Sequence, residues 1–212
     1  MLQGFTTMAD NISSFHSMIQ NAENSIYDPK GGFDRKTKTW KPHKSPEGGN
    51  DTVAYGHKLT DEEQNNGYVI IQNQKVLFDE LNNDLAKKLY MQDWEKHTNT
   101  AREWFEQDWN KLNHGQQLIA TELVFNMGNK VTKGKTEYSQ FKQKLLANDP
   151  TFIDQINRTY TDTTGNKRSL IERTDPIKNW YKEYNLQNKY LKEQKINLST
   201  AETISKEYNL YG

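Results

Sequence analysis

The sequence predicts an α+β fold, a small N-terminal antiparallel sheet beside a mainly helical bundle. Three observations carry that prediction. Ile12, Phe15, Met18, Ile19 and Ala22 recur three or four residues apart, the stripe of an amphipathic helix. Residues 27–49 are dense in Gly, Pro, Lys and Asp, which break helices, and Asp51–His57 then alternates in strand fashion. Beyond Thr60 most apolar residues return to helical spacing.

The first helix begins with Asp10 as cap and ends at Glu23. Two turn signals come next, Pro29 to Gly32 and Pro46 to Gly49, so the segment reads as an irregular loop and hairpin. Asp51–His57 reads as the return strand, with Val53 and Tyr55 on one face and Thr52, Ala54 and Gly56 on the other. Thr60 with Glu63 makes a capping box. A long helix is expected from about Asn73 to Lys96, where Leu77, Leu81, Leu85 and Leu89 fall four apart. Further helices are expected over 101–111, 115–127 (ended by Gly128), 137–147, 150–160 and 176–184. This gives one domain over 1–185 and a short C-terminal extension, 186–212, of one or two short helices.

Composition narrows the function. Across 212 residues, 28 Lys and Arg balance 28 Asp and Glu, so no long-range attraction to nucleic acid or to an anionic membrane is expected. Five Trp, eleven Tyr and eight Phe supply a core. The absence of cysteine excludes disulfides, thiolate chemistry and Cys-zinc sites. No apolar run approaches the ~18 residues of a membrane span, and the N-terminus carries no export signal. No cofactor or metal is expected, because HExxH is absent and His16, His43, His97 and His114 are dispersed.

A carboxylate at a helix C-terminus faces the negative end of the helix dipole, and in a partly closed cleft both dipole and desolvation favour its protonated form. Glu23 meets that description by position and is the candidate general acid. Thr52, on the following sheet, is placed to hold a water or a sugar hydroxyl opposite it. The alternative for any such Glu is simple solvation.

An amphipathic helix ending in Glu23, followed by Thr52-Val53-Ala54-Tyr55-Gly56-His57, resembles the phage-type lysozymes, whose signature is a Glu closing the first helix, a hairpin, then Thr-Ile-Gly-Tyr-Gly-His. Residues 118–128, LIATELVFNMG, resemble the helix of that family ending in Phe-Asn-Val-Gly. Ser169-Leu170-Ile171-Glu172-Arg173 resembles the Gly-Leu-x-x-Arg stretch before a late helix, here the one with Trp180. Together the motifs run in order from about Ile12 to Tyr184.

The resemblance implies a lysozyme-like domain that cleaves the β-1,4 bond between N-acetylmuramic acid and N-acetylglucosamine in bacterial peptidoglycan. Glu23 would protonate the glycosidic oxygen, Thr52 would place water or stabilise the sugar, and Arg173 would be a charge partner of Glu23. Relatives also carry an Asp in the first hairpin strand as the second carboxylate. Here the loop is much longer, and the position facing Thr52 falls near His43 or Ser45. Asp51 is a candidate second catalytic group, although strand alternation points it to the opposite face. Glu47, Asp28 and Asp34 are also in range. With no second carboxylate, His43, Ser45 and Thr52 would position water, which leaves room for a lytic transglycosylase. Ser45, Glu47, His57 and Arg173 are the candidate substrate-binding residues, His57 having a structural hydrogen bond as its alternative. Trp104, Trp109, Trp180 and Tyr181 suit either core packing or sugar stacking.

As a phage enzyme the chain would be an endolysin, held in the host cytoplasm until a holin releases it to the periplasm and cell wall, or a virion-associated lysozyme. Its extension would then dock onto virion proteins. The contrasting reading is a non-catalytic virion structural or glycan-binding module.

Overall fold

In the computed structural model, which describes residues 8–23, 32–44, 50–128, 131, 136–156, 159–161, 167–169 and 171–208, the first helix, α1 (Met8–Glu23), turns the expected stripe inward. Phe15 and Ile19 are buried, with Ile12 and Met18 packed at their edges. Phe15 meets Trp94 and Trp180 edge-on, at ring separations of 5.8 and 4.6 Å. Glu23 is its last residue.

Instead of one small sheet, the described residues hold four separate two-stranded antiparallel hairpins. The first pairs β1 (Phe33–Asp34) with β2 (Thr39–Trp40). Its turn is closed by the Asp34 carboxylate, which accepts the backbone N–H of Lys36 at 2.8 Å. Trp40 is fully buried between Phe33 and Tyr55. Of the two turn signals flanking this hairpin, only Gly32 lies within the described residues.

The expected return strand over 51–57 is not continuous. It is β3 (Thr52–Val53) and β4 (His57–Lys58), paired across the three-residue turn Ala54–Gly56. Ala54 at φ 54° and Gly56 at φ 87° take left-handed backbone, which reverses the chain where a strand would run on. The two-face alternation consequently fails, since Val53, Ala54 and Tyr55 are all buried.

The Thr60–Glu63 capping box is present at the start of α2 (Asp61–Asn66), which Gly67 ends. Next comes another hairpin, β5 (Tyr68–Ile71) with β6 (Gln74–Leu77), in place of the expected helix start. Gln72 at φ 51° and Asn73 at φ 66° form the two-residue left-handed turn that matches strand twist, and the β-branched run Val69-Ile70-Ile71 favours the strand. Leu77 is therefore an exposed strand residue and Leu81 a buried loop residue; only Leu85 and Leu89 of that stripe are helical. The long helix α3 (Asn83–Phe105) begins at Asn82, whose side chain accepts the N–H groups of Asp84 and Leu85.

α3 packs along α4 (His114–Met127), and the last helix, α6 (Ile171–Tyr208), packs on both α1 and α4. Central α4 buries Leu118, Ile119, Ala120, Leu123 and Val124, as expected of a helix apolar nearly all round. The expected 101–111 helix is the end of α3 followed by a 3₁₀ segment over 106–111. After α5 (Thr136–Leu146), the expected helix over 150–160 is a 3₁₀ turn at 150–156 and then β7 (Thr159–Thr161), paired with β8 (Lys167–Ser169). α6 is one helix containing Pro176, so the short helices expected after Tyr184 are its continuation.

Candidate active site

The site forms where the C-terminus of α1 meets the β3–β4 turn. Gly56 lies directly on the Glu23 carboxylate: a Cβ at this glycine would stand 2.7 Å from Glu23 Oε2 and 3.1 Å from its Cδ. Any side chain there would push the carboxylate away, and φ 87° independently favours glycine. Glu23 Oε1 is shielded from solvent. A tight turn, specified locally by its backbone, thus seats a hairpin on a carboxylate 33 residues earlier (56 minus 23).

Thr52 stands two strand residues back from that turn. Its backbone exchanges both hydrogen bonds with His43, each at 2.9 Å, and its Oγ1 lies 3.1 Å from His43 Nε2. The position facing Thr52 is therefore His43, one of the two expected from the sequence. The imidazole rests against Gly32, where a Cβ would stand 2.8 Å from His43 Nδ1 and 2.5 Å from the Lys41 carbonyl oxygen. Glycine at φ 78° lets the two segments close to this distance.

Asp51, next to Thr52, pairs with Lys44, next to His43, at 2.7 Å. Successive residues of paired strands point to opposite faces, so the Asp51–Lys44 pair lies on the face away from Thr52 and His43. The backbone N–H of Asp51 donates to Gln64 Oε1 at 3.0 Å, tying the segment to α2. Asp34 is engaged in its own turn.

His57 follows Gly56 and lies between two carboxylates, with Nδ1 2.7 Å from Asp93 Oδ2 on α3 and Nε2 3.3 Å from Glu63 on α2. Burial alone would lower its pKa, but the bonds to Asp93 and Glu63 outweigh burial and raise it to about 9. Burial would likewise raise Glu63, yet the bond to His57 and those from Thr60 bring it down to about 2. Both ring nitrogens of His57 are thus occupied, and the imidazolium ties the turn holding Gly56 to two helices. Asp93, 36 residues from His57 and on the helix face that also carries buried Leu89 and Tyr90, has no local sequence signal for this role.

Ser45 and Glu47 lie outside the described residues, as do Asp28 and the side chain of Arg173, whose backbone is in the first turn of α6. Trp109, Trp180 and Tyr181 are core residues, and Trp104 stacks on Phe141.

No protein-family profile and no solved structure matches the chain. It is 28% identical over 170 residues to peptidoglycan hydrolase gp36 of Enterobacteria phage SP6, a match covering 78% of this chain and 17% of that protein. The chain therefore spans less than a fifth of its relative, and its similarity is to one segment of a phage protein named for peptidoglycan hydrolysis.

Proposed function

We propose that this chain hydrolyses peptidoglycan as a muramidase, cutting the β-1,4 bond between N-acetylmuramic acid and N-acetylglucosamine with Glu23 as general acid. The observation that carries the reading is the seating of Gly56 on Glu23, which brings the hairpin bearing Thr52 to the carboxylate. The name of the phage relative supports the substrate class.

Glycosidic cleavage requires a proton on the leaving oxygen and a group on the other side of the sugar that delivers the nucleophile. Glu23 suits the first role, since it ends a 16-residue helix, where the dipole disfavours added negative charge, and one of its oxygens is shielded from water. Thr52 suits the second as the group that orients water. It stands on the same hairpin as Gly56, two residues before the turn that rests on Glu23. Asp51, paired with Lys44, serves the hairpin in this reading.

The test is digestion of purified peptidoglycan by the wild type and by Glu23→Gln, with muropeptides read by mass spectrometry. New reducing muramic acid ends from the wild type, reduced at least about 1,000-fold in Glu23→Gln, are expected. Anhydro-muramic ends would replace hydrolysis by transglycosylation, and no release by a folded wild type would end the enzymatic reading.

A further inference from the structure

We infer that His43 is the terminal proton acceptor of the reaction, drawing the proton of the attacking water through the Thr52 hydroxyl. The inference rests on the muramidase reading and supplies a proton acceptor from the described residues, because the residue facing Thr52 is an imidazole and not a carboxylate.

Three observations support it. The two side chains are within hydrogen-bonding distance, Oγ1 to Nε2 at 3.1 Å, and backbone hydrogen bonds in both directions hold the residues in register. Neither residue moves without breaking that bridge. Gly32 closes on the far side of the ring, at a distance no other residue permits, so Nε2 stays aimed at Thr52. The neighbouring charges are settled separately: Lys44 is paired with Asp51 on the opposite face, and Lys41 lies on the same segment as His43.

With Nε2 unprotonated, the Thr52 hydroxyl donates to it and its oxygen is left to accept from a water. As that water bonds to C1 of the muramic acid, its proton passes to Thr52 Oγ1 while the Thr52 proton passes to His43 Nε2. The C1–O4 bond breaks and O4 takes the proton of Glu23. The product state holds an imidazolium at His43 and a carboxylate at Glu23, and exchange with solvent restores both. His43 acts through Thr52 and is a positioning residue; Thr52 touches the water.

The experiment measures turnover of soluble, uncross-linked glycan strands from pH 4 to 9 for wild type, Glu23→Gln, His43→Gln, Thr52→Ser and Thr52→Val, with folding checked by circular dichroism. Glutamine can still hydrogen-bond Thr52 but cannot take its proton. His43→Gln is expected to lose about 100-fold in kcat with KM within about twofold, the range of a general base. It should also lose any acidic limb of the wild-type kcat profile that comes from the proton acceptor, because glutamine cannot be protonated in its place. Thr52→Ser should keep the limb and most of the rate, while Thr52→Val should match His43→Gln, and combining His43→Gln with Thr52→Val should cost no more than either alone. A folded His43→Gln with wild-type kcat and an unchanged limb, or one affecting KM alone, overturns the relay. Should His43→Gln not fold, the Ser/Val pair decides: an active Thr52→Val overturns it. If Glu23→Gln is inactive while His43→Gln is normal, only the relay fails. If Glu23→Gln is also active, the muramidase assignment fails with it.

Discussion

Two histidines show how differently the two halves of this molecule are held. His57, in the hairpin region, lies between Asp93 and Glu63 and keeps its proton up to about pH 9. His16, in the helical body, is half-buried against Trp94 and Tyr90, with Nδ1 3.1 Å from the Tyr90 hydroxyl; desolvation first, and the nearby His114 second, lower it to about 4. The turn beside Glu23 is therefore braced by charge and hydrogen bonds on top of the buried Trp40, Val53 and Tyr55, whereas His16 sits in aromatic packing that disfavours its charge. The site can be loosened by chemistry that leaves the body folded.

This contrast makes the stability profile two-sided. Between about pH 6.5 and 9 the folded chain holds the His57 proton that the unfolded chain releases, so stability contributed by His57 is full below 6.5 and lost as pH rises through 9. Between about 6.5 and 4 the unfolded chain protonates His16 more readily than the folded one, so stability falls as pH drops through that window.

The largest effect is expected in the body. Phe15→Ala removes a fully buried ring from between Trp94 and Trp180 and should cost about 3–5 kcal/mol in urea denaturation at every pH. His57→Gln should cost about 2–3 kcal/mol at pH 6 but little at pH 10, where the wild type has already lost the clamp; equal loss at both pH values would show that shape and not charge holds the turn. Gly56→Ala separates site from scaffold most cleanly. About 1–2 kcal/mol of stability should be lost to its positive φ, and activity should drop about 100-fold as Glu23 is displaced, so a normal rate would dissociate this contact from the chemistry. Lys44→Ala should be the mildest, within about 0.5 kcal/mol by thermal melting, because the lysine is 81% exposed and its pairing with Asp51 is screened by water.

Legibility in the sequence divides along the same line. α1 and its end at Glu23, the Thr60–Glu63 box, and α4 closing at Gly128 are all readable, because spacing and caps act within a few residues. The β5–β6 hairpin is not. Its Gln72-Asn73 turn lacks glycine, and Leu77, Leu81, Leu85 and Leu89 mimic a helical stripe although the first two belong to a strand and a loop. α6 likewise continues through Pro176, a residue that ordinarily marks a boundary.

For the candidate site, the sequence offered Glu23 from its place at a helix end, Thr52 from the hairpin that follows, and a choice between His43 and Ser45 opposite Thr52. Which residue faces Thr52, that Gly56 rests on Glu23, and that Asp93 and Glu63 share the proton of His57 were decided only by the folded chain. Those contacts join segments up to 36 residues apart. Their strength comes from desolvated charge and close backbone approach, quantities that exist only once distant segments have been brought together.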